Sequence, residues 1–291
     1  MKYALFLGCT VPVRGAHYEL AARKVAGLVG IEFADIEDFA CCGFPIKAFH
    51  THTAFLVGAR NLALAAQQKL PICTLCSSCT STLTEIAKAV NTNPVVKLKA
   101  NRELASINRH IDREIVVRHF ARILYEQVGL DKIRSQVKRP LASLKLAVHS
   151  GCHYLKPSGI FESFDDPEIP YTVRAMIEAT GASVVDYFEE KKCCGGATMG
   201  IEEMTGLGIA KRKLDSLRSA DADALVIICP FCDIMYEANQ RKIEQVFNTA
   251  YDLPVLYFPQ VLGLAFGFDR RELGFQFNTV KPDKILEKVG V

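Results

Sequence analysis

Ten of the eleven cysteines in this 291-residue chain fall into one five-cysteine pattern written twice. The first copy is Cys9, then Cys41-Cys42-Gly43, then Cys76-x-x-Cys79; the second is Cys152, then Cys193-Cys194-Gly195, then Cys229-x-x-Cys232. The gap from pair to C-x-x-C holds 33 residues in one copy and 34 in the other, and the gap from lone cysteine to pair holds 31 and 40. Near-equal spacing at this length points to a duplicated fold whose two halves each bring five thiols together.

Thiolates gathered five at a time have few uses. A disulfide framework belongs to oxidising compartments. Leu5-Phe6-Leu7-Gly8-Cys9 faintly resembles a lipoprotein cleavage site, but the apolar stretch before Cys9 is too short for a secretory leader. The expectation is therefore a cytoplasmic chain whose clustered cysteines are metal ligands or redox groups. A structural zinc takes four ligands in a tetrahedron, usually from two C-x-x-C-like hooks. Here two ligands are adjacent in sequence and a fifth is left over, which favours an iron–sulfur cluster, for which thiolates are the standard ligands. A nucleophilic cysteine enzyme would not need five ligands copied twice.

The pattern resembles the CCG-domain family and, along nearly the whole chain, the heterodisulfide reductase B-subunit family within it. The resemblance is carried by Tyr3-Ala4-Leu5-Phe6-Leu7-Gly8-Cys9, by Cys193-Cys194-Gly195-Gly196, by Cys229-Pro230-Phe231-Cys232 and by the block Pro254 to Leu264. It implies that Cys9, Cys41, Cys42, Cys76 and Cys79 hold one noncubane 4Fe–4S cluster and that Cys152, Cys193, Cys194, Cys229 and Cys232 hold a second. The two together would split a disulfide, either the coenzyme M–coenzyme B heterodisulfide or a bacterial equivalent. Relatives carry the same domain in succinate dehydrogenase, thiol:fumarate reductase and glycolate oxidase systems, so a non-catalytic electron-transfer subunit is the alternative. The resemblance also implies two partners, a ferredoxin-like C subunit and a flavin-containing A subunit. Thr10 to Arg14 and Cys41 to Pro45 are closer to the bacterial relatives.

Anionic groups on such a substrate would call for Lys or Arg near the cysteines. Arg14, Lys156, Lys191 and Lys192 are the candidates, although surface charge is the ordinary role of these residue types. His50, His52, His149 and His153 lie close to ligands in sequence and are expected to be hydrogen-bonded structural residues. Cys73 precedes Cys76 by three and could form an alternative C-x-x-C. Only Cys76-x-x-Cys79 keeps the spacing of the second half, so Cys73 is read as a buried structural cysteine.

The apolar pattern explains how the cysteines meet. Lys2 to Gly8 and Lys145 to His149 read as buried strands ahead of the lone cysteines. Helices follow at Glu19 to Val29 and Val173 to Thr180, closing at Gly30 and Gly181, then second strands at Ile31 to Asp35 and Ala182 to Asp186. After the cysteine pairs come helices from Ala54 to Gln67 and from Met204 to Ala220. Third strands, Pro71 to Leu75 and Ala224 to Cys229, lead into the C-x-x-C motifs at the starts of further helices. This alternation predicts an α/β chain of two pseudo-symmetric Rossmann-like domains with parallel sheets and clusters at the carboxyl ends of the strands. A linking helix is expected over Asp112 to Val128, with Val116, Phe120, Ile123, Leu124 and Val128 on one stripe. The boundary is placed near Pro140, giving domains 1–139 and 140–291.

Composition excludes other classes. The net charge of +3 is too small to argue for nucleic acid. Lys97 to Arg139 holds eleven Lys and Arg against five Asp and Glu, read as a solvated face before a docking surface for an acidic partner. No apolar run reaches the roughly 18 residues of a membrane span. No G-x-G-x-x-G follows a strand and opens a helix, so no NAD or flavin site is expected in this chain and electrons would arrive from a partner.

Overall fold

The computed structural model describes residues 1–291 and contains two four-stranded, all-parallel sheets of identical topology. In the first, the order is β2 (Glu32–Asp35), β1 (Lys2–Phe6), β3 (Ile72–Thr74), β4 (Val117–His119); in the second it is β6 (Ser183–Val184), β5 (Lys145–His149), β7 (Ala224–Ile227), β8 (Val255–Tyr257). Parallel neighbours need a crossover between them. The helices Ala16–Val29, Thr51–Gln68, Thr172–Glu178 and Glu203–Ser219 supply these crossovers. The central strands are buried along nearly their whole length, as sheets covered on both faces require.

The predicted elements match in type and place, and Gly30 and Gly181 take left-handed turns after their helices. One reading is corrected. The helix expected from Asp112 to Val128 begins only at Phe120, because Val117–His119 is β4, paired with β3 in the register Ile72↔Val117 to Thr74↔His119. Ile115, Val116 and Val117 are β-branched and lie beside an open strand edge, where ladder hydrogen bonds outweigh a helical pattern. Val116 is consequently off the stripe and exposed, while Phe120, Ile123 and Leu124 are buried as expected. The second half repeats the arrangement: β8 turns directly into the helix Phe258–Ala265. The basic stretch is also less uniformly solvated than expected, since Arg122 is buried and pairs with Glu126 at 3.1 Å and Glu162 at 3.0 Å.

The halves share one core. A single cluster of 77 buried apolar residues runs through both, so neither sheet packs alone. The first-half helix Ala16–Val29 lies against the second-half helix Phe258–Ala265, and the segment after β4 reciprocally meets the helix Thr172–Glu178. Tyr18 and Tyr257 stack across this contact with ring centroids 4.0 Å apart.

Backbone geometry at the cysteine pairs is duplicated too. Gly43 has φ +94° and Gly195 φ +86°, and a methyl group there would sit 2.5 Å from the Ala54 carbonyl oxygen or 2.7 Å from that of Gly206. Only glycine permits both the left-handed turn and the close approach. Gly43→Ala and Gly195→Ala are each expected to destabilise the chain by about 1–3 kcal/mol in urea denaturation. Gly27→Ala, on a helix with nothing within 4 Å of the new methyl, should stabilise it by about 0.5–1 kcal/mol.

Candidate metal centre

Every cysteine of the duplicated pattern leaves the carboxyl end of a sheet. Cys9 and Cys152 follow β1 and β5 by three residues, Cys76 and Cys229 follow β3 and β7 by two, and the adjacent pairs follow the second strands through longer loops. Cys76 and Cys229 occupy the N-cap positions of the helices Ser77–Thr92 and Pro230–Asp233. Amides at such an end favour thiolate over thiol. Four further amides point at sulfur: Gly43 N–H to Cys41 Sγ at 3.4 Å and Phe44 N–H to Cys42 Sγ at 3.5 Å, matched by Gly195 to Cys193 at 3.3 Å and Gly196 to Cys194 at 3.4 Å.

The ten thiols form one string. Neighbours lie within interaction range in the order Cys9, Cys41, Cys42, Cys79, Cys76, Cys229, Cys232, Cys194, Cys193, Cys152. The link from Cys76 to Cys229 crosses between the halves. Cys73 is outside the string, fully buried on β3, and burial alone raises its pKa. The inner thiols are buried, whereas Cys9, Cys152 and Cys193 are exposed at the outer ends.

Every third thiol along the string favours its ionised form. Cys42 is pushed down to about 4, chiefly by contact with Cys41, Cys193 down to about 2, chiefly by Cys152, and Cys229 well below the thiol range, chiefly by Cys232. Their neighbours rise, Cys194 to about 12 through Cys193. Each thiolate is thus flanked by two thiols that keep their protons. No three of the sulfurs come within 4.8 Å of one another. A tetrahedral zinc with bonds of about 2.3 Å needs four sulfurs about 3.8 Å apart, so the array does not form a ready-made single-ion cage. Its donor set of clustered, partly ionised thiols suits the more extended core of an iron–sulfur cluster.

Contacts between the halves surround the string. The Phe44 ring lies 4.9 Å from His153 and 6.0 Å from Phe231, so the three cysteine loops interlock through aromatic edges. A small cavity is lined by Cys9, Cys42, Cys76 and Cys79 on one side and by Pro230 and Phe231 on the other. Tyr18 Oη donates to the Ile228 carbonyl at 2.9 Å and His119 Nε2 to the same oxygen at 3.1 Å. Because the His119 Nδ1 accepts from the Ala121 amide, its proton resides on Nε2.

Two polar residues that sequence reasoning missed hold the paired-cysteine loops. Asn61 is fully buried, donates to the Cys41 carbonyl at 2.9 Å and accepts from the Ala40 amide at 3.0 Å. Lys213, equally buried, donates to the carbonyls of Lys192 at 2.9 Å and Glu190 at 3.0 Å and to His149 Nδ1 at 3.1 Å. The two occupy equivalent places on the helices Thr51–Gln68 and Glu203–Ser219. Burial lowers the Lys213 pKa to about 8 and that of His149 to about 3, so at neutral pH the lysine is charged and the imidazole is not. The detectable signal is a lysine on the same helical stripe as Leu207, Ala210, Leu214 and Leu217.

The substrate candidates separate. Lys156 and Lys191 line one cavity of about 40 Å³ beside Cys152, with Lys156 also paired to Glu168 at 2.8 Å. Arg14, exposed at the end of a short helix after Cys9, and Lys192, exposed before Cys193, are not part of it. His50 caps the helix Thr51–Gln68 and His52 pairs with Glu103, away from the thiols. A cleft of about 630 Å³ lies between Ala222 and Lys288 and touches no cysteine.

The cysteine-rich domain family, CCG, matches residues 3–84 and 146–237, one match over each five-cysteine set. The chain belongs to this family. It is closely homologous to heterodisulfide reductase B subunits: it is 33% identical to the one from the ferredoxin:CoB-CoM heterodisulfide reductase of Methanosarcina mazei, over 99% of this chain and 97% of that one. It is also 29% identical to the "8-methylmenaquinol:fumarate reductase membrane anchor subunit" of Wolinella succinogenes, over 98% and 99% of the two chains. No helix of this chain is long and apolar enough to cross a membrane. A hypothetical protein from Helicobacter pylori shares the fold at TM-score 0.79 and 16% identity, over 96% of this chain, which spans 52% of that structure. Membership makes this an iron–sulfur protein of an oxidoreductase system.

In metal-free, reduced chain, Cys193 is the exposed thiol with a depressed pKa, while Cys9 and Cys152 are exposed and raised. Iodoacetamide should therefore label Cys193 first, at a rate nearly flat from pH 8 down to pH 6 because the thiolate persists. Cys9 and Cys152 should slow about tenfold per pH unit over the same range. Peptide mapping of pulse-labelled protein reads both.

Proposed function

We propose that this chain is the catalytic iron–sulfur subunit of a heterodisulfide reductase-like complex, reducing a disulfide to two thiols. Cys9, Cys41, Cys42, Cys76 and Cys79 would hold one noncubane 4Fe–4S cluster, and Cys152, Cys193, Cys194, Cys229 and Cys232 the other, in halves dividing near Pro140. The observation that carries the reading is the unbroken run of thiols from one half to the other: the two sets meet at Cys76 and Cys229, so both sites face one gap. Cleaving a disulfide consumes two electrons and two protons, and two one-electron clusters, when bound, supply the electrons without a flavin or redox dithiol at the site.

The rest is work for the protein. Phe44, His153 and Phe231 pack edge to face across the gap, and Tyr18 and His119 fix Cys229 against Cys76 through Ile228. Lys156 and Lys191 place positive charge beside Cys152, suited to an anionic group on one arm of the disulfide. The M. mazei relative's name specifies ferredoxin and the CoB–CoM heterodisulfide; by that analogy the substrate is this heterodisulfide or a bacterial equivalent. The partners are a ferredoxin-like C subunit and a flavin-containing A subunit, and the compartment is the cytoplasm. The W. succinogenes relative favours a second reading, in which the same clusters only carry electrons for another oxidoreductase.

Anaerobically purified protein should contain about eight iron atoms and eight sulfides per chain. Cys73→Ser should keep all the iron, because Cys73 touches none of the string, whereas Cys79→Ser should lose or convert one cluster. Retained iron in Cys79→Ser with loss in Cys73→Ser would reassign the ligating pair.

Catalysis and electron carriage separate in single variants. If the disulfide is cleaved between two clusters, Cys42→Ser and Cys194→Ser should each abolish its reduction by a small artificial donor, with little further loss in the double variant. A relay would let that donor bypass the damaged site. Substantial turnover in either variant, with its cluster shown by low-temperature EPR to be lost, supports the carrier reading.

A further inference from the structure

Away from the thiol string, the contact between the halves buries a second group of metal-ligating side chains. His17, on the helix Ala16–Val29, faces Asp233 and Glu237, and one donor atom from each lies within 4.8 Å of the others. These side chains come from opposite halves, and the residues are only 2%, 6% and 2% exposed. Neither ring nitrogen of His17 has a hydrogen-bond partner, and neither does Oδ1 of Asp233. Unsatisfied polar atoms this deep are costly unless something binds them.

The surroundings hold the carboxyl groups in place but leave the His17 ring and Asp233 Oδ1 without partners. Glu237 Oε1 accepts from Asn278 Nδ2 and the Thr279 amide, both at 3.1 Å, and Asn278 is itself fixed by Gln260 at 3.0 Å and the Val255 carbonyl at 2.8 Å. The Tyr257 ring lies 4.9 Å from that of His17. Gly274 covers the histidine so closely that a methyl group there would lie 2.7 Å from the His17 Cα. The nearby cation, Lys281, spends its protons on the carbonyls of Gln276 at 2.8 Å and Asn278 at 2.6 Å. A divalent ion bound here would replace the proton between the two carboxyl groups and balance their charge in a place where net charge is expensive.

We propose that His17, Asp233 and Glu237 form a mononuclear divalent-cation site that ties the two halves together. One nitrogen and carboxylate oxygens select manganese, ferrous iron or zinc over soft ions. Donor atoms around such an ion span about 3–4.2 Å, so the observed spacing needs only a small inward movement. The site uses no thiol and does not depend on the disulfide-reductase reading. Its nearness to Cys232 means that the ion would brace the helix bearing the second C-x-x-C motif.

The test uses Mn²⁺, which prefers oxygen and nitrogen to thiolate, on the full anaerobic chain. Equilibrium dialysis should show a single tight equivalent, whose electron spin-echo modulation reports coupling to one imidazole nitrogen. His17→Gln and Asp233→Asn should each weaken it by at least about 100-fold while iron content and circular dichroism stay unchanged. Native protein that takes up no Mn²⁺ at millimolar concentration, or holds it without nitrogen coupling, would show a protonated carboxyl pair instead and overturn the proposal. Binding that survives intact in both variants overturns it as well, and the spin-echo measurement on native protein decides the matter even if the variants fail to fold.

Discussion

The Ile228 carbonyl is the point on which the arrangement of the two halves depends. It lies one residue past β7 and is free of the strand ladder, and it accepts from Tyr18 and His119, both donors belonging to the other half. Each such bond contributes only about 1 kcal/mol net, but a buried carbonyl left with neither would cost about 1–3 kcal/mol. The next residue is Cys229. The first half therefore sets where the central thiol of the second half sits, and the junction with Cys76 follows from hydrogen bonds that involve no cysteine. Stacking of Tyr18 on Tyr257 keeps the donor aimed.

From that junction outward, burial and charge grade together. The central thiols are enclosed by the opposite half, and the terminal ones reach the surface. Main-chain amides aimed at the paired cysteines supply fixed partial positive charge without counter-ions, the kind of preorganised environment that stabilises anionic sulfur. Both turns depend on a glycine packed against the following helix, which fixes where each cysteine pair sits against that helix. The array is elongated, which follows from fold geometry: six chain segments from two sheets approach a common rim from opposite sides.

Much of this is legible in the chain. Cysteine spacing exposes the duplication, and uninterrupted apolar runs such as Leu146-Ala147-Val148 mark the buried strands. Where periodicity misleads, at Val116 and Val117, the deciding influence is the free edge of β3, a partner more than forty residues away in sequence. β4 and β8 are three residues long, too short for any alternation to declare itself. Lys213 reads as one more charge in a Lys-Arg-Lys run, and only the packing of its helix buries it. His17 and Asp233 carry no local signal, because their relationship exists only once the halves close. Arg14 and Lys192 lie five residues and one residue from a cysteine, but proximity along a turning loop does not fix which way a long side chain faces.

Duplication copied the backbone but not the electrical surroundings. At one loop the buried tether is the neutral amide of Asn61; at its counterpart it is the ammonium of Lys213, enclosed with an uncharged His149 and bonded to carbonyls. Laying one sheet on the other would exchange a dipole for a full positive charge. The molecule consequently has a built-in polarity along the axis joining its halves, and negative charge arriving at the two paired-cysteine loops meets different potentials in places of the same shape.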